Sequence, residues 1–200
     1  MTRHLVILAR APQPGRVKRR LAHDIGTLEA ARFYRAMLAD LLSRMTNRAG
    51  WYVWLFVTPD TALRHPAWHA RGRRLSVQPQ GPGDLGRRML KPFRILPPGP
   101  VVLVGSDIPA MRPSSIAQAF RLLAENELVF GPASDGGFWL IGARRRRPLP
   151  ADLFADVRWS SRHALADTLR NIAATVQVGL AETLDDIDTA DDLRAFLIRR

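Results

Sequence analysis

Two aspartates in this sequence stand where a carboxylate can do chemistry. Asp107 follows the apolar run at residues 101–104 in the order Gly105-Ser106-Asp107-Ile108-Pro109, so a buried strand ends by delivering an acid to its carboxyl end. Magnesium is commonly held by one or two carboxylates plus the substrate's own phosphates, and one Asp at such a place is chemically sufficient. The competing reading is an Asp that only caps the following turn. Asp135, in Ala133-Ser134-Asp135-Gly136-Gly137, is the second acid, set against the bland reading of an Asp-Gly hairpin turn. A third stretch, from Arg10 to Leu21, offers Gly15 for close backbone approach and Arg16, Lys18 and Arg20 to neutralise phosphate oxygens. Its competing reading is a solvated basic loop. It is not a Walker A, because no Gly-Lys-Ser/Thr follows the glycine, and it has one glycine where a dinucleotide fingerprint needs three.

The elements that must position these residues can be read from periodicity. Residues 4–9 are continuously apolar and end in a Pro- and Gly-containing loop, as a buried strand does. Leu28, Ala31, Tyr34, Leu38, Leu41, Leu42 and Met45 fall on one face of a long amphipathic helix. Residues 52–57 form a second strand, which makes the opening a βαβ unit with a right-handed crossover. A short strand is expected at 75–78, a helix capped by Asp84, strands at 101–104, 128–130, 138–141 and 175–178, and a helix opened by Pro113 and Ser114. Ser160 or Ser161 is expected to cap a further helix carrying Leu165, Leu169 and Ile172. Thr189 with Asp192 three residues on makes a capping box before Leu193, Phe196 and Leu197. Strands alternating with helices predict one α/β domain over residues 1–200, a three-layer α/β/α sandwich with a mostly parallel central sheet. In such sheets ligands sit beyond the carboxyl ends of the strands, which brings the loops after Ala9, Val104 and Phe130 to one edge.

Composition excludes several classes. The 200 residues contain no cysteine, so there is no thiol nucleophile, disulfide framework or Cys-based zinc site, and 46% hydrophobic residues suffice for a core. The first apolar run is too short for a signal peptide and no stretch approaches a bilayer span, which predicts a cytoplasmic protein. The formal charge is +12, yet the arginines are spread along the chain without a helix-turn-helix, ribonucleoprotein or zinc-finger pattern, and nucleic acid is not an expected partner. Arg144 to Arg147 is the one charge run. His65 and His69 are four apart, but Pro66 between them opposes the helix a metal pair would need. No Ser-His-Asp arrangement can be assembled. Trp51, Trp54 and Trp159 are expected in the core or in a pocket wall, whereas Trp139, beside the Asp-Gly-Gly loop, is expected to touch a ligand. Asp185, Asp186 and Asp188 are read as turn and helix-amino-end acids, with a metal role left open for Asp188.

Four segments occur in a telling order: VILARAPQPGRVKRRLAHDIG, QGPGDLGRRM, VVLVGSDIPAM and VFGPASDGGFWLIG, followed by WSS at 159–161 and DIDTADDL at 186–193. Together they resemble the glycosyltransferase-like family DUF2064 of the nucleotide-diphospho-sugar transferase superfamily, whose fold is called GT-A, and the resemblance spans nearly the whole chain. It implies a nucleotide, or nucleotide sugar, over the first loop, and Mg2+ or Mn2+ on Asp107. By the same resemblance Ala9, Arg10, Gly15, Arg16, Lys18, Arg20, Gly83, Asp84 and Ser106 belong to the nucleotide side. Asp107 and Asp135 would be catalytic, and Gly136, Gly137 and Trp139 would face an acceptor of unknown identity. The family usually has Lys-Thr-Arg-Leu where this chain has Lys18-Arg19-Arg20-Leu21, so a guanidinium replaces a hydroxyl. It also commonly has Asp-Cys-Pro in place of Asp107-Ile108-Pro109. The implied activity is metal-dependent transfer from a nucleotide-activated donor, with glycosyl transfer favoured because the first loop lacks the glycine-rich start that cradles a triphosphate. Nucleotidyl transfer to a phosphorylated acceptor, or nucleotide binding without turnover, are the alternatives.

Overall fold

Strand β1 (His4–Arg10) has no polar face. Leu5, Ile7 and Ala9 pack into one hydrophobic cluster and Val6 into another, as required of a strand covered on both sides. Strand β4 (Val101–Gly105) repeats the pattern, with Val102 and Val104 on the first face and Val101 and Leu103 on the second. The computed structural model, which describes residues 1–47, 50–68 and 75–198, builds a three-layer sandwich around these strands.

Seven strands form one sheet in the order β3-β2-β1-β4-β6-β5-β7. Besides β1 and β4 they are β2 (Tyr52–Thr58), β3 (Leu75–Pro79), β5 (Leu128–Pro132), β6 (Phe138–Ala143) and β7 (Val178–Leu180). Only β6 runs against its neighbours, pairing antiparallel with both β4 and β5. The mostly parallel sheet expected from the sequence is therefore present. One layer is built by α2 (Thr27–Thr46) and α4 (Pro113–Leu122), through buried Leu38, Leu41, Leu42, Ile116 and Phe120. The other is built by α3 (Leu85–Ile95) and α5 (Ala164–Arg170), through Met89, Leu90, Phe93 and Ala164. Among the described residues no helix is long and apolar enough to cross a membrane.

Several local expectations hold. Asp84 caps α3 by accepting the Arg87 N–H at 2.8 Å, Pro113 opens α4, and Thr189 and Asp192 bond reciprocally ahead of α6 (Ala190–Ile198). Others need correction. The basic stretch after β1 is not all loop, because residues Arg19–Ile25 form α1, which buries Leu21 completely. Leu28 on α2 is half exposed, lying in the first turn before the helix meets the sheet. The last strand is Val178–Leu180, not 175–178, because residues 173–176 form a turn closed by the Val176 N–H on the Ala173 carbonyl. Neither Ser160 nor Ser161 is the cap of α5, which is His163; the Ser161 hydroxyl instead donates to the Arg158 carbonyl and accepts the His163 N–H, forming the turn before the helix. His69 lies outside the described residues, as does the side chain of Leu197.

One ion pair braces the second layer. Asp167 on α5 is 4% exposed and accepts from Arg158 at 2.8 Å through both oxygens, with Arg170 as a further partner. The Arg158 hydrogen bonds hold its carboxyl well below the usual carboxylate range, against the cost of burial. A carboxyl whose folded pKa is depressed contributes stability above its unfolded value, near 3.8 here, and loses that contribution as pH falls through the folded value. Urea midpoints measured between pH 7 and pH 2 should therefore fall more steeply for the wild type than for Asp167→Asn, the two curves converging only below about pH 4. Parallel curves for the two proteins would remove this pair from the account of acid stability.

Candidate active site

The strand order reverses between β1 and β4. The chain leaves β1 toward β2 on one side, and β4 opens the other half of the sheet. Loops at such a switch point splay apart at the carboxyl edge and leave a crevice. The loop after β1 ends at Lys18 and the loop after β4 carries Asp107, so the crevice is flanked by the groups the sequence singles out.

These two side chains meet. The Lys18 Nζ donates to Asp107 Oδ2 at 2.8 Å and to Asp188 Oδ1 at 2.8 Å, and it lies 3.9 Å from Asp186 Oδ2. Lys18 is the amino cap of α1 and holds a left-handed backbone, φ 46° and ψ 51°. That conformation costs a non-glycine residue energy. Burial works against its charge, but the carboxylates of Asp107 and Asp188 outweigh it and hold the ammonium pKa above its ordinary value. Arg20 adds a guanidinium 3.7 Å from Asp188.

Asp186 is the residue sequence reasoning missed, and it arrives with Asp188, for which the sequence left a metal role open. They arrive on a strap, residues 181–189, that runs from the end of β7 back along the carboxyl edge. Its backbone is tied down by Ala181 N–H to the Phe130 carbonyl, Leu184 N–H to Pro132 and Ile187 N–H to Asp107. Ile187 is 2% exposed, and in an extended segment residues on either side of a buried one share the opposite face. Asp186 and Asp188 therefore point together toward Asp107. The signal was present as Asp-Ile-Asp following a strand. Oxygens of Asp107, Asp186 and Asp188 lie within 4.8 Å of one another. Burial first, then the charges of Asp107 and Asp188, push the Asp186 carboxyl up to about 6.

Three carboxylates in this grouping are a hard, all-oxygen donor set of the kind that suits magnesium or manganese. Their side chains are 34% to 43% exposed, which leaves room for phosphate oxygens or water to complete a coordination shell. By that test the residues fit a divalent cation.

Beside the acids is a cleft of about 190 Å³, lined among others by Asp107, Asp135, Asp186, Phe138, Trp139 and Trp159. Asp135 accepts the Gly137 N–H at 2.8 Å and adds its charge to those that raise Asp186. Gly136 has φ +85°, and a Cβ there would lie 2.2 Å from the Arg162 carbonyl oxygen, so this loop sits flush on the turn before α5. The Trp139 indole donates to the Glu182 carbonyl at 2.9 Å, which ties the cleft wall to the strap. Ser134 does the same by bonding Asp185 through its N–H and hydroxyl.

The remaining residues predicted for the nucleotide side divide into two groups. Arg10, Gly15 and Arg16 stand on the exposed part of the first loop, where a Cβ on Gly15 would meet no atom within 4 Å. Gly83 and Asp84 form the amino end of α3, whose Leu85 and Met89 line the cleft. Ala9 and Ser106 lie beneath the site, 2% and 5% exposed. The Ala9 carbonyl accepts from the Gln80 amide at 3.1 Å. The Ser106 hydroxyl is 2.8 Å from the Tyr34 hydroxyl, which also accepts the Arg10 N–H. Tyr34 thereby links the bases of both loops, and burial pushes its phenol up, so it serves as a neutral bridge.

The sequence matches a family of uncharacterised proteins conserved in bacteria, DUF2064, over residues 41–161. No curated protein matches it. Among solved structures it is similar to a protein of Desulfovibrio desulfuricans G20 provisionally named a nucleotide-diphospho-sugar transferase. The two are 29% identical over 98% of this chain and 87% of that one, with a TM-score of 0.89. The 4-diphosphocytidyl-2C-methyl-D-erythritol synthase of Anaerococcus prevotii DSM 20548 shares the fold at TM-score 0.64 and 11% identity, covering 100% of this chain and 96% of that one. The glucosyl-3-phosphoglycerate synthase of Mycobacterium tuberculosis, solved with Mn2+, uridine diphosphate and glucosyl-3-phosphoglycerate, does so at 0.55 and 13%, covering 99% and 76%. The fold is thus one that sugar transferases and nucleotidyltransferases share.

Proposed function

The chain belongs to DUF2064, and from that premise we propose that it is a metal-dependent glycosyltransferase working from a nucleotide sugar. The observation that carries this reading is the meeting of Lys18 with Asp107, Asp186 and Asp188 at the switch point of the sheet. A ring of acids with a cation in its midst beside a partly apolar cleft suits a diphosphate-bearing donor on one side and an acceptor on the other.

Asp107, Asp186 and Asp188 would hold the divalent ion, which supplies positive charge to stabilise a departing diphosphate. Lys18, Arg16 and Arg20 add fixed positive charge on the donor side, where leaving-group charge develops. Asp135 stands across the cleft, among the residues that face an acceptor, and takes the proton of its hydroxyl. In the transfer the donor's bond between sugar carbon and phosphate oxygen breaks, a bond from that carbon to the acceptor oxygen forms, and nucleoside diphosphate leaves. Trp139, Gly136 and Gly137 shape the acceptor side, while Tyr34, Gln80 and Ser106 act only by positioning the loops.

The inositol-1-phosphate CTP transferase of T. maritima shares the fold at TM-score 0.56 and 14% identity, which makes the nucleotidyl alternative concrete, and product analysis separates the two. With manganese and a panel of nucleotide sugars and nucleoside triphosphates, the expected product is nucleoside diphosphate, with no pyrophosphate released from any triphosphate. Pyrophosphate released together with a nucleotidylated sugar phosphate or other phosphate acceptor added to the assay, and no nucleoside diphosphate, would replace glycosyl by nucleotidyl transfer.

A further inference from the structure

The charge of the acceptor cleft runs against that of the molecule. The chain has 30 lysines and arginines against 18 acids, yet three aspartates line this cleft and, among the described residues, no lysine, arginine or histidine does. Lys18 reaches the same acids from the loop after β1, and its ammonium is already held by Asp107 and Asp188. With a divalent ion on Asp107 and Asp186, Asp135 is the cleft carboxylate left to oppose a phosphate or carboxylate on the acceptor, and no guanidinium lines the cleft to receive one.

What the cleft does offer is apolar surface and hydroxyl groups. Trp159 and Phe138 are half-buried, and both line the cleft. Their geometry is fixed: Trp159 lies 6.2 Å from Phe138 at 61° and 5.6 Å from Phe154 at 57°, within the range of stabilising edge-to-face contacts. Next to Trp159, Ser160 is held at φ 55°, a strained backbone for a residue that is not glycine. Ser160 lines the cleft, and its hydroxyl makes no hydrogen bond among the described residues. Aromatic wall, hydroxyl and carboxylates together make a surface for a ring or chain with one apolar face and hydroxyls that donate to acids.

We propose that the acceptor is an uncharged polyhydroxyl compound, a sugar or polyol with an apolar face set on Trp159, and that Asp135, the cleft carboxylate outside the metal set, disfavours phosphorylated acceptors. The inference rests on the transferase reading for the word acceptor. The recognition it describes does not depend on turnover. When transfer does occur, an acceptor hydroxyl gives its oxygen to the new glycosidic bond and its proton to the Asp135 carboxylate, and the donor's nucleoside diphosphate carries away the electron pair of the broken bond.

Binding of phenyl β-D-glucopyranoside and of glucose 6-phosphate, followed by saturation-transfer NMR with and without manganese, tests this directly. The glucoside should bind wild type, glucose 6-phosphate should bind at least tenfold more weakly, and Trp159→Ala should lose glucoside binding at least tenfold. Asp135→Lys should narrow or invert the preference, which a merely structural role for Asp135 would not do. Glucose 6-phosphate binding as tightly as the glucoside, with or without manganese, would overturn the proposal, and so would failure of both probes on folded wild type. Glucoside binding in a protein that releases only pyrophosphate would uphold the cleft assignment and sink the glycosyl-transfer reading alone.

Discussion

Asp107→Ala is expected to abolish the manganese-dependent stabilisation of this protein by nucleotides. A ligand present at about a hundred times its dissociation constant adds roughly 2.7 kcal/mol to the folded state. For a chain of this size each kcal/mol moves the melting temperature by about 2–4 °C, so the wild-type shift should be about 5–10 °C. In the variant, the carboxylate that stands at the end of β4 between Lys18 and the strap is gone, and the shift should fall to near zero. Asp107→Asn separates charge from folding, because it keeps an oxygen acceptor for Lys18 while removing the charge that a divalent ion needs. It should melt close to wild type without ligand and still fail to respond to nucleotide with metal. An undiminished shift in Asp107→Ala would take the metal site away from this cluster. A folded wild type that responds to no nucleotide would leave the fold standing and the transferase reading without support.

Lys18→Met should strengthen the protein's response to metal. The ammonium is 4% exposed and bonded to two of the three acids, so its removal leaves Asp107, Asp186 and Asp188 repelling one another within 4.8 Å. Stripping one partner from a fully buried ion pair costs about 3–5 kcal/mol. The acids here are 34% to 43% exposed and partly screened, so about 1–3 kcal/mol is expected for the metal-free variant. Manganese should restore that loss. Calorimetric titration without nucleotide should give about tenfold tighter manganese binding in the variant, about 1.4 kcal/mol, because the ion no longer displaces a resident cation. Nucleotide affinity should fall, since the phosphates lose the ammonium as a partner. Equal or weaker manganese binding by Lys18→Met would mean that lysine and metal do not contend for the same oxygens.

The centre of the sheet was legible because β1 and β4 carry no polar face. Runs such as residues 101–104 admit few readings, and alternation with helices then dictates a parallel sheet and a crevice at its carboxyl edge. Asp107 and Lys18 were legible for the same reason, since each sits a short loop away from a buried strand. The strap was not. Asp186 and Asp188 lie about 80 residues beyond Asp107 in the chain, and acids ahead of a capped helix have an ordinary explanation in the helix dipole. Only the parallel pairing of the three-residue β7 with β5 aims that segment across the edge, and so short a strand leaves almost no periodicity to detect. Helix α1 was hidden by its composition, because Arg19 and Arg20 read as loop while Leu21, the one side chain it buries completely, is a single residue in a basic stretch. Ser160 was misplaced because a serine ahead of a helix is ordinarily a cap, and here the turn before the helix takes its neighbour Ser161.

The strap also couples the site to the slow fluctuations of the fold. Its backbone meets the sheet at separated points, and Ile187 is the peg that seats it, with its amide on the Asp107 carbonyl at 3.3 Å. β7 contributes only three residues to the sheet edge, so the segment from there onward is expected to open locally before the central strands do. Each such opening would dismantle the acid cluster without unfolding the protein. The exchange rate of that one amide hydrogen is consequently a clock for how often the centre is intact, and a bound cation, by bridging the strap to β4, would slow it.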